Sequence, residues 1–362
     1  MKTELSALDL HFLLKELATA LIGARVDKIY QPDGFFFQLH KSGEGKLLLK
    51  IEKNCLWLTG AKTDMPETQK GMCQLLRKVL EGKKLISLEQ VNGERILKLT
   101  FATQAEQFIL YVELFSTGNL ILCDFDGTIK MAVEERAWKD RQIKRGEPYQ
   151  LPPSKKNTLT FERADFTFGE YPISKQLAQL GLGKTYAMEL CARAGVAPLA
   201  ETIDSAQADK LFLAYKTILF EPISARAYVN GEIAPIELKH LTETFTQYSS
   251  FSEALDKHLG ITASQQRLDK KRQKFLAEKE RIQHAIDMQQ KNLEKAELEI
   301  VQNQRAGELI YEHYQELQEI IEELRKAKEK FSLHQMKEKL KGHPTIKDID
   351  PKTSDVVIEI DT

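Results

Sequence analysis

Between Leu85 and Val133 the chain reads as five strand-length runs with little but tight turns between them, and this density of reversals most constrains its fold. The runs are Leu85–Gln90, Arg95–Phe101, Phe108–Phe115, Asn119–Cys123 and Ile129–Val133. Asn92-Gly93 is a dipeptide favoured where a hairpin needs positive φ, and "DFDGTI" reads as another hairpin turn. Connections this short join antiparallel neighbours, because parallel neighbours need a crossover of a dozen or more residues. Upstream, Val26–Tyr30, Phe35–His40, Leu47–Ile51 and Cys55–Leu58 read as further short strands between Gly, Asp and Asn turns. Two helices accompany them. The first runs from Ser6, a plausible N-cap, with Leu10, Leu13, Leu14, Leu17 and Leu21 on one face; the second opens at Pro66 and ends at Gly82. The fold class is α+β, with an antiparallel, hairpin-rich sheet domain over residues 1–170.

The rest of the chain changes character. "WKDRQIKRGEPYQLPPSKKN", from Trp138, reads as an ordered basic loop, since Gly146, Pro148, Pro152 and Pro153 oppose a regular element. Residues 171–260 form a mainly helical domain, interrupted by a hairpin turning at Asn230-Gly231. From Thr262 the chain is charged and almost free of Gly and Pro. Leu268, Phe275 and Ile282, then Ile286, Leu293 and Ile300, recur at intervals of seven, an a/d seam of about five heptads. The expected coiled-coil helix covers 261–306 and breaks at Gly307. A second helical pattern (Ile310, Leu317, Leu324, Phe331) and two short tail strands make up 307–362. A single helix cannot bury such a seam, so it needs a returning helix or a second copy.

Composition narrows the function. The net charge of −1 over 362 residues announces no nucleic-acid partner, so any such claim must rest on local patches. The four cysteines are scattered and unpaired in spacing, which argues against zinc and fits free thiols in a reducing cytoplasm. The start, "MKTELSALDLHFLLKEL", has too many acids for a signal peptide, and no stretch reads as a membrane span.

Two local patterns point to nucleic acid. "LAQLGLGKTYAMEL", from Leu177, fits helix–Gly-Leu-Gly–helix: Gly181 and Gly183 allow a tight turn, and the second helix presents its N-terminal amides, with Lys184 beside them, to a phosphate. An ordinary interhelical turn fits the same residues. The basic loop carries Arg136, Lys139, Arg141, Lys144 and Arg145 with Trp138 and Tyr149 among them, which suits splayed RNA bases on flat side chains, or simply a solvated loop. Arg77, Lys78, Lys83 and Lys84 cluster at a helix C-terminus, where the dipole alone favours cations. The adjacent charges Glu94-Arg95 follow a turn and point to opposite faces of a strand. They read either as a solvated hairpin tip or as a contact. Nothing nominates a nucleophile, base or cofactor.

Taken in order, "LIGARVDKIYQP", "QKGMCQLLRKVLEGKKL", "ELFSTGNLIL" and "RQIKRGEPYQLPP" resemble the NFACT family over nearly the whole chain. Its members include RqcH, NEMF and fibronectin-binding-protein-A-like proteins. The resemblance implies a glycosylase-like N-terminal domain, a helix-hairpin-helix domain, a coiled coil and part of a middle region. It also implies a cytoplasmic ribosome quality-control factor that needs no cofactor and has no active site of its own. Such a factor binds large ribosomal subunits obstructed by peptidyl-tRNA, recruits tRNA (alanine tRNA in bacteria) and supports template-free C-terminal tailing. The family's Asp-Arg pair, which handles tRNA, falls on Glu94-Arg95, with a carboxylate one methylene longer. The resemblance further implies a chain that stops before the returning helix and the NFACT-R domain, leaving the seam to protrude or to pair with a second copy. The alternative is a DNA-glycosylase-like binding protein or repair enzyme, but the chain starts Met1-Lys2 where glycosylases carry Pro-Glu. A third reading, a surface adhesin, follows only from the fibronectin name.

Overall fold

The computed structural model describes residues 2–60, 71–153, 156–169, 171–350 and 352–359, with backbone alone over 261–271. The chain forms two compact units, Met1–Arg267 and Leu268–Thr362.

The first unit is organised around α1 (Ala7–Leu21). Ser6 caps it as expected. Its hydroxyl accepts from the Asp9 amide at 3.0 Å, and Asp9 accepts from the Ser6 amide at 2.8 Å, a reciprocal box that satisfies two orphan donors. Gly23, at φ +87°, lets the chain turn away. Leu10, Leu13, Leu14, Leu17 and Leu21 bury against the sheet. Leu8 and Phe12 bury instead in a second core built by the helical subdomain. One helix therefore belongs to both cores.

The sheet has nine strands in the order β4-β3-β2-β1-β5-β6-β7-β8-β9. Two antiparallel meanders compose it. The first is β1 (Arg25–Tyr30), β2 (Phe35–Lys41), β3 (Gly45–Glu52) and β4 (Cys55–Leu58). After α2 (Gly71–Leu80) comes the second: β5 (Lys84–Gln90), β6 (Ile96–Ala102), β7 (Gln107–Glu113), β8 (Asn119–Asp124) and β9 (Ile129–Ala132). The start expected for α2 at Pro66 lies outside the described residues. The meanders meet where Val26 donates to the Lys83 carbonyl and Gly82 to that of Val26, at 2.9 and 2.8 Å.

The basic loop is more regular than its prolines suggest. Upstream of them, β10 (Arg136–Ala137) pairs with β11 (Gln142–Ile143). The loop is laid on the sheet by Ile143, buried with Ile109, Ile121 and Ile129, and by Tyr149 stacked on Tyr111 at 3.9 Å.

The helical subdomain holds α3 (Ile173–Leu177), a wide turn over Ala178–Leu182, α4 (Gly183–Ala194) and α5 (Ser205–Leu219). Beside them lies a three-stranded patch of β12 (Arg226–Tyr228), β13 (Ile233–Ala234) and β14 (Phe245–Gln247).

The long helix α6 (Phe251–Glu312) starts earlier than the sequence suggests and runs through both Gly260 and Gly307. A mid-helix glycine costs only about 1 kcal/mol relative to alanine, too little to stop a helix of this length. The break falls at His313. In the second unit, Phe275, Ile282, Leu293 and Ile300 of the heptad seam are at least half exposed. There α7 (Tyr314–Lys328), α8 (Leu333–Lys339) and the hairpin of β15 (Ile346–Ile349) and β16 (Val356–Ile358) share a small core around Leu324, Met336 and Ile349. Among the described residues no helix is long and apolar enough to cross a membrane, and no group of metal-ligating side chains converges.

Candidate nucleic-acid interface

The sheet and the helical subdomain enclose a cleft of about 620 Å³. One wall is the end of the second meander: Glu94 and Arg95 before β6 and Phe115 after β7. Pro152 and Pro153, at the end of the basic loop, join it. The other wall is the glycine turn and first residues of α4, including Gly181, Gly183 and Lys184. The segment from Lys2 to Ala7 also lines the cleft. Two motifs that the sequence offered separately, the Glu94-Arg95 pair and the Gly-Leu-Gly turn, thus face the same space.

Thr158 explains how the walls are held. Its hydroxyl donates to the Gly93 carbonyl, and its own carbonyl accepts from the Tyr215 hydroxyl at 3.0 Å. Gly93 has φ +62°, and a Cβ there would lie 2.8 Å from the Thr158 amide. Gly181 has φ +105°, and a Cβ there would lie 2.7 Å from the Thr158 methyl. Both glycines are demanded twice, by their backbone angle and by one buried threonine that touches each turn. No sequence signal marks Thr158, because its role depends on contacts with both turns.

Arg95 is half-buried, and its Nη1 donates to Glu4 Oε2 at 2.7 Å. Glu94, its neighbour in sequence, is not the acid that holds this guanidinium. Neighbouring residues leaving a turn into a strand point apart, and Glu94 makes no ion pair among the described residues. The Glu94 carbonyl instead accepts from Gln90 Nε2 at 2.9 Å, and the same amide group donates to the Ala7 carbonyl.

Behind Glu4 lies a buried polar cluster that sequence reasoning missed. Lys2 Nζ donates to Asp9 and Glu232, both at 2.9 Å, and to the Ile233 carbonyl at 2.7 Å. The Tyr186 hydroxyl of α4 donates to the other Asp9 oxygen at 3.0 Å. Burial alone would lower the Lys2 pKa, but Asp9 and Glu232 outweigh it and hold the ammonium above its ordinary value. Burial, then Asp9, pushes the Tyr186 phenol well up. Asp9 is therefore both the capping-box acid of α1 and the anchor of α4. The Ser6 cap was legible; the two roles of Asp9 were not.

The cations of the basic loop divide. Arg141 is buried. Its guanidinium pairs with buried Glu113, donates to the Gln150 carbonyl at 2.6 Å and lies over the rings of Trp138 and Tyr149. It holds the loop on the sheet and is withdrawn from the surface, so of the loop cations grouped in the sequence as RNA contacts it is the one the fold has buried. Arg136 is half-buried, pairs with Glu134 and donates to Thr117 at 2.8 Å. Lys139, Lys144 and Arg145 are exposed, and their side chains make no ion pair among the described residues, although the Arg145 amide donates to Glu135 at 3.3 Å. Lys184 is exposed at the start of α4. The second basic cluster divides too: Arg77 covers the Tyr30 ring and Lys83 is buried against Glu106, while Lys78 and Lys84 are exposed.

This arrangement defines a class by its fold: an antiparallel sheet, nine-stranded among the described residues, and a helix-turn-helix subdomain share a cleft lined by Lys2, Arg95 and Lys184 together with Glu4, Asp9, Glu94 and Glu232. The chain belongs to the NFACT family: residues 6–354 match the family model for NFACT N-terminal and middle domains. The archaeal Rqc2 homolog aRqcH of Methanocaldococcus jannaschii is 28% identical over 99% of this chain and 58% of its own length. Ribosome quality control complex subunit 2 of Saccharomyces cerevisiae is 36% identical over 46% of this chain and 16% of its own length. The chain thus spans less than two thirds of either relative. Among solved structures, the N-terminal part of the fibronectin/fibrinogen-binding protein of Streptococcus suis shares the fold, with a TM-score of 0.60 and 23% identity over 71% of this chain and 99% of that one.

Proposed function

We propose that the protein is a ribosome-associated quality-control factor whose first unit grips tRNA. The observation that carries this reading is the cleft, where Arg95, the aromatic ring of Phe115 and the amide end of α4 with Lys184 lie around one space. Each suits a different part of an RNA strand. A guanidinium forks onto phosphate or a base edge, an aromatic face takes a splayed base, and a helix N-terminus takes phosphate. Arg136, Lys139, Lys144 and Arg145 of the basic loop, which do not line the cleft, would add phosphate contacts to a longer RNA. The names of the archaeal and yeast relatives supply the ribosomal setting. In that setting the factor binds an obstructed large subunit carrying peptidyl-tRNA in the cytoplasm and recruits tRNA. It supports template-free tailing of the stalled chain while the ribosome makes the peptide bond.

The test is a tRNA titration across a salt series. Binding should weaken linearly on logarithmic axes, with a slope near −0.7 to −0.9 per neutralised phosphate, and the double variant Arg95→Ala/Lys184→Glu should flatten that slope by about one to two contacts. Affinity indifferent to salt, or to the double variant, overturns the reading. Sequencing RNA that co-purifies with the protein identifies the tRNA selected.

A further inference from the structure

Helix α5 has a second side that the cores do not use. It buries Leu211, Ala214, Tyr215, Ile218 and Leu219. Facing outward are Ala206, Leu213 and Phe220, one heptad apart, with Leu213 67% and Phe220 81% exposed. One exposed apolar side chain is ordinary, but two large ones at heptad spacing form the ridge a second helix packs on. The C-terminal end of the ridge borders a shallow groove of about 720 Å³, whose lining includes Lys216, Phe220, Glu221, Glu237 and Lys239.

The charge around this ridge is one-sided. Three acids along its middle and C-terminal end are already paired: Glu221 with Arg193, Glu237 with Arg226 at 2.8 Å, and Asp209 with Arg163. The side chains of Lys210, Lys216 and Lys239 make no ion pair among the described residues, Lys216 lying over the rings of Phe212 and Tyr215. Lys15 of α1 reaches the same end, donating to the Leu219 carbonyl at 3.2 Å. The surface is apolar along its ridge and cationic on its flanks.

We propose that the outer face of α5 is a docking surface for an acidic amphipathic helix of a partner protein. The ridge runs about 21 Å along the helix, the length of four turns. A nucleic acid would find one stacking ring at Phe220, but Leu213, about 10 Å further along, offers no π-face. A leucine-bearing helix with glutamates on its flanks uses both side chains and the unpaired lysines. The site is separate from the cleft and does not depend on the tRNA reading.

The test titrates the full chain with labelled helical peptides about four turns long. Their leucines are at heptad spacing, and their flanking positions are all Glu, all Gln or all Lys. A short oligouridine is titrated in parallel. The Glu peptide should bind at least about tenfold tighter than the Lys peptide. Phe220→Ala, Leu213→Ala and Lys239→Glu should each weaken it by about tenfold, with melting temperature unchanged because these side chains are outside the core. Failure of the Glu peptide to bind overturns the proposal, as does equal affinity for Glu and Lys peptides or indifference to Phe220→Ala. Oligouridine binding that depends on Phe220 while the peptides do not bind would make this an RNA surface instead.

Discussion

Arg95 and Arg141 look alike on paper: each is an arginine beside sheet strands, with an aromatic and an acid within a short distance in sequence. The cleft mouth and the underside of the basic loop give them opposite roles. Arg95 is tied by one exposed acid, Glu4, at the edge of a solvent-filled cleft. Arg141 is enclosed by Glu113, Gln150, Trp138 and Tyr149. A cation held by a single exposed acid can change partner, whereas one held by buried groups on several sides cannot.

Four substitutions test whether the two arginines differ in this way. Arg141→Ala should have the largest effect. It strands the Glu113 carboxylate in the interior, and denaturant titration should show a loss of about 3–5 kcal/mol. A loss within about 0.5 kcal/mol would mean that Arg141 is no more than a surface residue.

Lys2→Met should behave like Arg141→Ala on a smaller scale, costing about 1–3 kcal/mol by leaving Asp9 and Glu232 without their shared donor. The pH dependence adds a sign. The folded pKa of Lys2 lies above the ordinary 10.5, so its contribution is fully present below that value and is lost as pH rises through the folded pKa. Wild type should therefore lose stability in this alkaline window more steeply than the variant, as followed by circular dichroism.

Arg95→Ala should leave the melting temperature within about 1 °C while weakening tRNA binding by about tenfold, or about 1.4 kcal/mol, with Arg95→Lys recovering only part. A matching loss of stability would place Arg95 with Arg141. The smallest effect should come from Glu4→Gln. Freeing Arg95 from an exposed ion pair worth about 0.2–1 kcal/mol should tighten tRNA binding up to about fivefold at low salt. Weaker binding would show that Glu4 orients the guanidinium for RNA instead of competing with it.

What the sequence made legible follows the range of the interactions. The strands, the Asn92-Gly93 turn, the Ser6 cap and the Gly-Leu-Gly turn rest on neighbours a few residues away, and they are found close to where the pattern places them. The partners in the cleft rest on distant neighbours. Glu4 reaches Arg95 across 91 positions, Thr158 reaches Gly93 across 65, and Tyr186 reaches Asp9 across 177. Arg141 was misread for the same reason: its acid comes from the end of β7, 28 positions upstream. Local spacing marked residues whose charge and shape suit RNA, but which of them the fold had already engaged could be read only from the assembled sheet.

The double membership of α1 has a mechanical consequence. Leu10, Leu13 and Leu17 key it into the sheet, while Leu8 and Phe12 key it into the helical subdomain. Its first turn carries Ser6 and Asp9, and just ahead of it are Lys2 and Glu4. The helix couples the two cores, so a tilt of the helical subdomain against the sheet would act on α1 and, through it, on Glu4 beside Arg95. Widening the cleft and unlatching its arginine would then be a single motion, and amides in α1, β5 and α4 should exchange hydrogen as one cooperative block.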